Sequence, residues 1–249
     1  MSTQPKLSII IPGYNEERSL SKNVLDEVSD YLKTIDYSYE VLIVDDGSTD
    51  NSVQIIKEQI KNKKNFRLIE NPHAGKAVTV MTGLLAAEGE VALFTDMDQA
   101  TPLKEVEHFF PKFEQGYDIV IGSRDGRKGA PLIRRIASIV FALLRNIILG
   151  LPFSDTQCGF KAFNHKARQA IFPKMLERYK KNSQTGYVVN ASFDSEFLFL
   201  AKKAGFKIID VPVEWHHVES RSYQLFKNAI DAVMDMLRVG MRDILGRYQ

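Results

Sequence analysis

The chain has 249 residues, 44% apolar and 26% charged, a balance that suits a folded globular protein and excludes a disordered one. Its formal net charge of +2 is too small for a general nucleic-acid binder, so any basic surface has to be local. The single cysteine, Cys158, excludes an internal disulfide and fits a reducing compartment.

The stretch "MSTQPKLSII" has no charged-then-apolar leader, so no signal peptide is expected. "KLSIIIP" is a short, β-branched apolar run of the fully buried strand type, ending at Pro12. "EERSLSKNVLDEVSDYLKTI" follows as one helix, with Leu20, Val24, Val28 and Leu32 at helical spacing. "EVLIVDDGSTD" then gives a strand, an Asp-Gly turn and the start of a helix capped by Asp50 or a nearby Ser or Thr. "FRLIE" and "VALFTD" predict further strands on either side of the helical stretch "GKAVTVMTGLLAAEG", and "YDIVIGSR" predicts another. Strands alternating with helices argue for a mostly parallel α/β sheet with helices on both faces, in which ligands bind beyond the carboxyl ends of the strands. The polar clusters "PGYNEE", "DDGSTD", "DMD" and "GSR" all fall at such ends.

Two carboxylates spaced one apart after an apolar strand, Asp96 and Asp98, can hold a divalent cation through hard oxygen ligands; they can equally be solvated loop carboxylates or helix caps. Asp45 and Asp46 close the second strand. The first fits a hydrogen-bond acceptor for a ribose hydroxyl or a base N–H, and the second fits the turn residue of Asp-Gly. Gly75 and Lys76 open a helix where backbone N–H groups and an ammonium can meet phosphate, although Lys76 can also be an ordinary surface lysine. Neither a dinucleotide fingerprint nor a P-loop is present in the sequence, which disfavours a nicotinamide cofactor and a P-loop nucleotide.

The ordered set "SIIIPGYNEE", "EVLIVDDGSTD", "HAGKAVTVMTG", "LFTDMDQATP" and "VIGSR" resembles family 2 glycosyltransferases with the GT-A fold, a Rossmann-like, mostly parallel twisted sheet. "DTQCGFKAF", "FDSEFLFLAKKAGFKIIDVPVEWHH" and "LFKNAIDAVMDMLR" look like the branch of dolichyl-phosphate glucosyltransferases and polyprenyl-phosphate hexosyltransferases, so the likeness runs from about Leu7 to Arg242. The resemblance implies metal-dependent transfer of a hexose, with inversion, from a nucleotide sugar to a polyprenyl phosphate. UDP-glucose is the expected donor, with GDP-mannose an alternative, and Mg2+ or Mn2+ the expected metal. It implies a base and ribose pocket from Pro12, Tyr14 and Glu16 with Asp45, a metal on Asp96 and Asp98, and Arg124 on the diphosphate or the acceptor phosphate. Lys76 and Met97 fall in the same donor-side set. Relatives often read D-A-D-G-A-T or D-A-D-L-S-T where Met97 and Gln99 stand here, a departure that bears on the donor sugar. Asp155, Gln157, Lys161, Asp194 and Glu196 fall on the sugar and acceptor side, and Asp98, Arg124, Asp155 and Asp194 carry the catalytic roles.

A sugar hydroxyl acceptor needs a general base, whereas a phosphate monoester, with a second pKa of about 6, arrives anionic and needs only positioning and charge compensation. Arg134, Arg135, Lys161 and Arg221 are the candidates for holding that phosphate. The longest apolar stretch, Ile136 to Phe153, carries Arg145 in its middle and falls short of the roughly 20 apolar residues of a spanning helix. It reads instead as a helix in the membrane interface plane, with Ile136, Val140, Leu143, Leu144, Ile147 and Ile148 largely on one face and Arg134, Arg135 and Arg145 reaching lipid phosphates. A plain core or dimer helix is the other reading. The expected organisation is a transferase domain over 1–222, then an amphipathic helix over 223–249 that packs on the domain, a membrane or a second subunit. A peripheral location at the cytoplasmic face follows, with a homodimer left open. Trp215, His216 and His217 read as an acceptor-side loop feature. The rivals are a glycosyltransferase with a soluble or glycan acceptor and a catalytically idle nucleotide-sugar binder.

Overall fold

The computed structural model describes residues 4–124, 132–184, 193–216, 225–246 and 248. In the helices that open at 132 and 225, side chains are described from 139 and 233 onward, and at 184 the backbone alone. In chain order the elements are β1 (Leu7–Gly13), α1 (Glu17–Leu20), α2 (Val24–Leu32), β2 (Tyr39–Asp45), α3 (Ser52–Ile60), β3 (Phe66–Glu70), α4 (Lys76–Ala86) and β4 (Val91–Phe94). A 3-10 helix (Leu103–His108), α5 (Phe110–Glu114), β5 (Ile119–Arg124), α6 (Leu132–Leu149), β6 (Lys161–Asn164), α7 (His165–Gln184), α8 (Phe193–Lys203), β7 (Ile208–Val213) and α9 (Leu225–Ile244) follow.

The strands form one sheet in the order β3-β2-β1-β4-β6-β5-β7, parallel throughout except for β6, which runs against both its neighbours. β1 and β2 are buried on both faces because their alternate residues feed two cores. Ile10, Leu42 and Val44 point to the side covered by α4 and α6–α9, while Ile9, Ile11, Val41 and Ile43 point to the side of α2, α3 and α5. Gly83 brings α4 close to the sheet, since a Cβ there would stand 2.4 Å from Ile10 Cγ2. That approach sets the helix whose first residue is Lys76 against the end of β1.

The stretch expected as a single first helix is two. The break falls at Asn23, whose φ of 59° is left-handed, a conformation that asparagine tolerates better than most residues. β6 was not expected as a strand. Its four residues begin with a lysine, and their direction places that lysine at the carboxyl ends of β4 and β5, opposite Phe94 and Ile121.

Arg145 corrects one part of the interface-helix reading, its own reach to lipid phosphate. It is 2% exposed, on the inward face of α6, and donates to Thr156 Oγ1 at 2.9 Å and to the Leu151 and Phe153 carbonyls. Its guanidinium closes the turn that follows its own helix rather than reaching outward. Ile139, Val140, Leu143 and Ile147 are exposed on the other side of α6. α9 packs against α6 and α8 through Met236 and Val239, leaving Leu237, Met241 and Ile244 exposed.

Candidate active site

The carboxyl ends of β1, β2 and β3 build one wall. Asp45 is consumed by its own turn: the Gly47 and Ser48 N–H groups donate to Oδ2, each at 2.9 Å, and the Ser48 hydroxyl donates to Oδ1 at 2.5 Å. Asp46 reaches across instead, accepting from the Ala74 and Gly75 N–H groups at 2.9 and 3.0 Å, with His73 Nδ1 3.0 Å from its Oδ2. The turn bonds are therefore made by Asp45 and not by Asp46, the residue that the Asp-Gly signal suggested for them. Asp45, two residues before a glycine with φ of 72°, sits in reach of that glycine's N–H, and Asp46, next to the glycine, finds its partners on the following loop.

The "PGYNEE" loop is fastened to "DDGSTD" by Asn15 N–H to Ser48 Oγ at 2.9 Å and to the start of α3 by Glu16 N–H to Ser52 Oγ at 2.8 Å. Tyr14 stacks on His73 with ring centroids 4.3 Å apart, giving this wall an aromatic surface, and Glu16 accepts from the Ser19 hydroxyl at 2.7 Å. Two residues expected on the donor side belong to the core. Pro12 is buried within β1 opposite Val44, and Met97 is 3% exposed, its Cε 3.2 Å from where a Gly13 Cβ would stand. An unbranched thioether is a good filler of such a gap, so Met97 holds the loop down while its neighbours face out.

Those neighbours are Asp96 and Asp98. Gln99, at φ 48°, closes the loop with its N–H on the Asp96 carbonyl, and the Ala100 N–H donates to Asp98 Oδ1 at 3.1 Å. Burial, with the like charge of Asp96 added, holds the Asp98 carboxyl above the usual carboxylate range. Lys76 Nζ lies 2.5 Å from Asp96 Oδ1. Desolvation works against its charge, but Asp96 first, then Asp194 and Asp98, outweigh it and hold the ammonium above its ordinary value. Lys76 is therefore no ordinary surface lysine: it is the positive charge among three aspartates.

Two more ion pairs complete the arrangement. Arg124, at the end of β5, grips Asp155 in a two-pronged contact, Nε to Oδ2 at 2.5 Å and Nη2 to Oδ1 at 2.9 Å. Lys161 is 0% exposed, donates to the Cys158 carbonyl, and lies 2.7 Å from Asp194 Oδ1. Burial, only partly offset by Lys161 and Lys76, keeps the Asp194 carboxyl above its ordinary range. Between these pairs lies a cleft of about 290 Å³ including its mouth, lined by Asp96, Arg124, Gln157, Gly159, Trp215 and small polar neighbours. Gly159 is there of necessity, since a Cβ would fall 1.9 Å from Asp96 Oδ2.

Trp215 lines this cleft together with Asp96, Arg124 and Gln157, and His217 lies outside the described residues. The signal that would have found Trp215 and Gly159 was weak: one aromatic after a strand and one glycine inside a quoted motif. Glu196 is corrected. Two residues beyond Asp194 on α8, it turns away into the fold, bonding Arg178 at 2.7 Å, Tyr179 at 2.6 Å and Tyr248, with Arg242 at 3.5 Å. A successive pair of carboxylates at i and i+2 cannot share one helix face, and this one ties α7 and the chain's end to α8. Cys158 is buried, which pushes its thiol up and leaves it inert. Arg134, Arg135 and Arg221 lie outside the residues whose side chains are described.

As an oxygen donor set, Asp96 and Asp98 fit a hard divalent cation whose remaining positions are filled by a ligand such as a diphosphate. Among the described residues no group of three or more His, Cys, Asp or Glu side chains could hold a metal unaided. The Arg124–Asp155 pair gives the first prediction. Asp155→Ala leaves a largely buried guanidinium unpaired and is expected to lower stability by about 3 kcal/mol in urea denaturation, with Arg124→Met recovering most of the loss in the double variant. A change within about 0.5 kcal/mol would show that the pair is not desolvated as described.

The family model described as Glycosyl transferase family 2 matches residues 8–172. Dolichyl-phosphate beta-glucosyltransferase of Dictyostelium discoideum is 31% identical over 262 residues, covering 98% of this chain and 76% of the relative. The enzyme of the same name from Saccharomyces cerevisiae is 32% identical over 271 residues, with the same shares covered. Among solved structures, glucosyl-3-phosphoglycerate synthase from Mycobacterium tuberculosis, in complex with Mn2+, UDP and glucosyl-3-phosphoglycerate, superimposes with a TM-score of 0.60 at 19% identity. That superposition covers 98% of this chain and 80% of that one. A GT-A-like sheet, an Asp-x-Asp loop at the end of its fourth strand and a match over two thirds of its length lead to one conclusion: the chain belongs to the family 2 glycosyltransferases.

Proposed function

We propose that the protein transfers a hexose, with inversion, from a nucleotide sugar to a polyprenyl phosphate at a membrane surface, with UDP-glucose as donor and Mg2+ or Mn2+ as the required metal. The observation that carries the acceptor class is the pairing of the carboxylates. Asp96, Asp155 and Asp194 each face a cation at 2.7 Å or less, so an acceptor hydroxyl would have to compete with a protein cation to reach any of these carboxylates. An acceptor that arrives as a phosphate dianion needs no base, whereas a sugar hydroxyl does.

In this reading Asp96 and Asp98 hold the metal, which when bound neutralises the leaving diphosphate. Lys76, paired with Asp96 in the structure, would supply an ammonium to the phosphate oxygens once a cation is bound there. Lys161 pairs with Asp194 on the sugar side, and Arg124, steadied by Asp155, borders the cleft where donor and acceptor meet. Tyr14 and His73 offer the stacked surface for the base. The names of the curated relatives support both the glucosyl donor and the lipid phosphate, and the Mn2+ and UDP of the mycobacterial structure support the metal and the nucleotide.

No helix among the described residues is long and apolar enough to cross a membrane. Two neighbouring helices nevertheless leave apolar stripes exposed, Ile139, Leu143 and Ile147 on α6 and Leu237, Met241 and Ile244 on α9. Such a pair of amphipathic helices suits an interface-plane contact with the cytoplasmic leaflet that would present the lipid phosphate to the cleft.

Purified protein given Mn2+, UDP-glucose and a short polyprenyl phosphate is expected to yield a glucosylated lipid detectable by mass spectrometry. Asp98→Ala should abolish the product, and Gly159→Ala should reduce it roughly a hundredfold by expelling the Asp96 carboxylate. UDP release without any glycolipid would instead point to a soluble acceptor. For the membrane contact, Ile147→Asp with Leu237→Asp should cut flotation with anionic vesicles severalfold while UDP binding is unchanged. Equal flotation of the variant and the wild type would remove this face from the account.

A further inference from the structure

The charge pairing leaves one surface of the cleft unused. Among the described residues that line it, Trp215 offers the single large apolar surface, against Thr95, Thr101, Arg124, Gln157 and Asp96. Two contacts fix where the half-buried indole stands. Arg124 Cζ lies 5.7 Å from the centre of its ring, and the N–H of the next residue, His216, donates to the Ala100 carbonyl at 2.8 Å. The second contact ties the exit of β7 to the loop that carries Asp96 and Asp98. The ring is therefore held at a set position from the candidate metal ligands, not on a free loop end.

A nucleotide sugar anchored by its diphosphate at Asp96 and Asp98 places its hexose next, still within the cleft. A pyranose has a rim of hydroxyls and patches of C–H. Hydroxyls need the polar groups that Arg124, Gln157 and Thr101 supply, and C–H patches need an apolar plane. Resting on the nucleotide-sugar reading above, we propose that Trp215 is the wall against which the transferred hexose lies, a specificity-determining residue for the donor. Bare UDP, which ends at the diphosphate, does not reach it.

Trp215 is the chain's one tryptophan, so its emission reports this position alone. The protein with Mn2+ is titrated with UDP-glucose and with UDP, by intrinsic fluorescence and calorimetry in parallel. UDP-glucose is expected to change the emission, and UDP to bind with at most a small change. Trp215→Leu should bind UDP within about twofold of wild type while KM for UDP-glucose rises about tenfold, equivalent to about 1.4 kcal/mol. Trp215→Phe should recover most of that loss. Heat of UDP-glucose binding with unmoved emission, or an unchanged KM in Trp215→Leu, would overturn the assignment of Trp215 alone. Absence of heat with any UDP-sugar would instead overturn the donor reading, and this inference with it.

Discussion

Carboxylates gathered at the ends of parallel strands repel one another, and each must be given a cation, a hydrogen-bond donor or a proton. Here the answer is mainly cations. Lys76 stands against Asp96, Arg124 against Asp155 and Lys161 against Asp194, and backbone N–H groups satisfy Asp45 and Asp46. Each cation arrives on a different element: Lys76 on the first turn of α4, Arg124 on the end of β5 and Lys161 on the start of β6. The antiparallel β6 matters most. It is the one strand of the sheet whose beginning, rather than its end, lies at the site, and it drives a fully buried ammonium in from beneath.

The same arrangement explains why a metal and a diphosphate suit the place. Three cations against four aspartates, Asp98 being the one without a cation of its own in the three pairs, leave the site within about one charge of neutrality. A divalent cation entering with a diphosphate adds charges that roughly cancel, so the balance survives substrate binding. Lys76 is the most exposed of the three cations, at a helix start, while Arg124 is mostly buried and Lys161 fully buried. Gly159 leaves room for the Asp96 carboxylate where it stands, since a Cβ would fall 1.9 Å from its Oδ2.

Much of this was legible in the sequence, for a physical reason. Doubly buried strands write themselves as apolar β-branched runs, and ligand-facing polar residues must follow them, so "SIIIPGYNEE", "EVLIVDDGSTD" and "LFTDMD" announce both the sheet and its functional edge. What stayed hidden depended on partners distant in sequence. Nothing local tells that Arg145 turns inward to cap its own loop, that Glu196 serves Tyr248 and Arg178 instead of substrate, or that Asp46 rather than Asp45 spans to Gly75. β6 escaped because four residues that include a charge carry no periodic signal. Trp215 was visible as a residue, but only the sheet order, with β7 beside β5, brings it to Arg124.

The central claim is that the acceptor supplies its own charge and the protein supplies no base. The pH dependence of kcat/KM for the acceptor tests it most directly, measured with a polyprenyl phosphate and with a phosphonate analogue that holds its second proton more tightly. The account predicts a rise with pH that breaks near the second pKa of the phosphate, about 6, and a break that moves upward with the phosphonate. Asp194→Asn should slow the reaction without moving either break. A break that ignores the change of acceptor and moves with Asp194→Asn would contradict the account and make Asp194 the base.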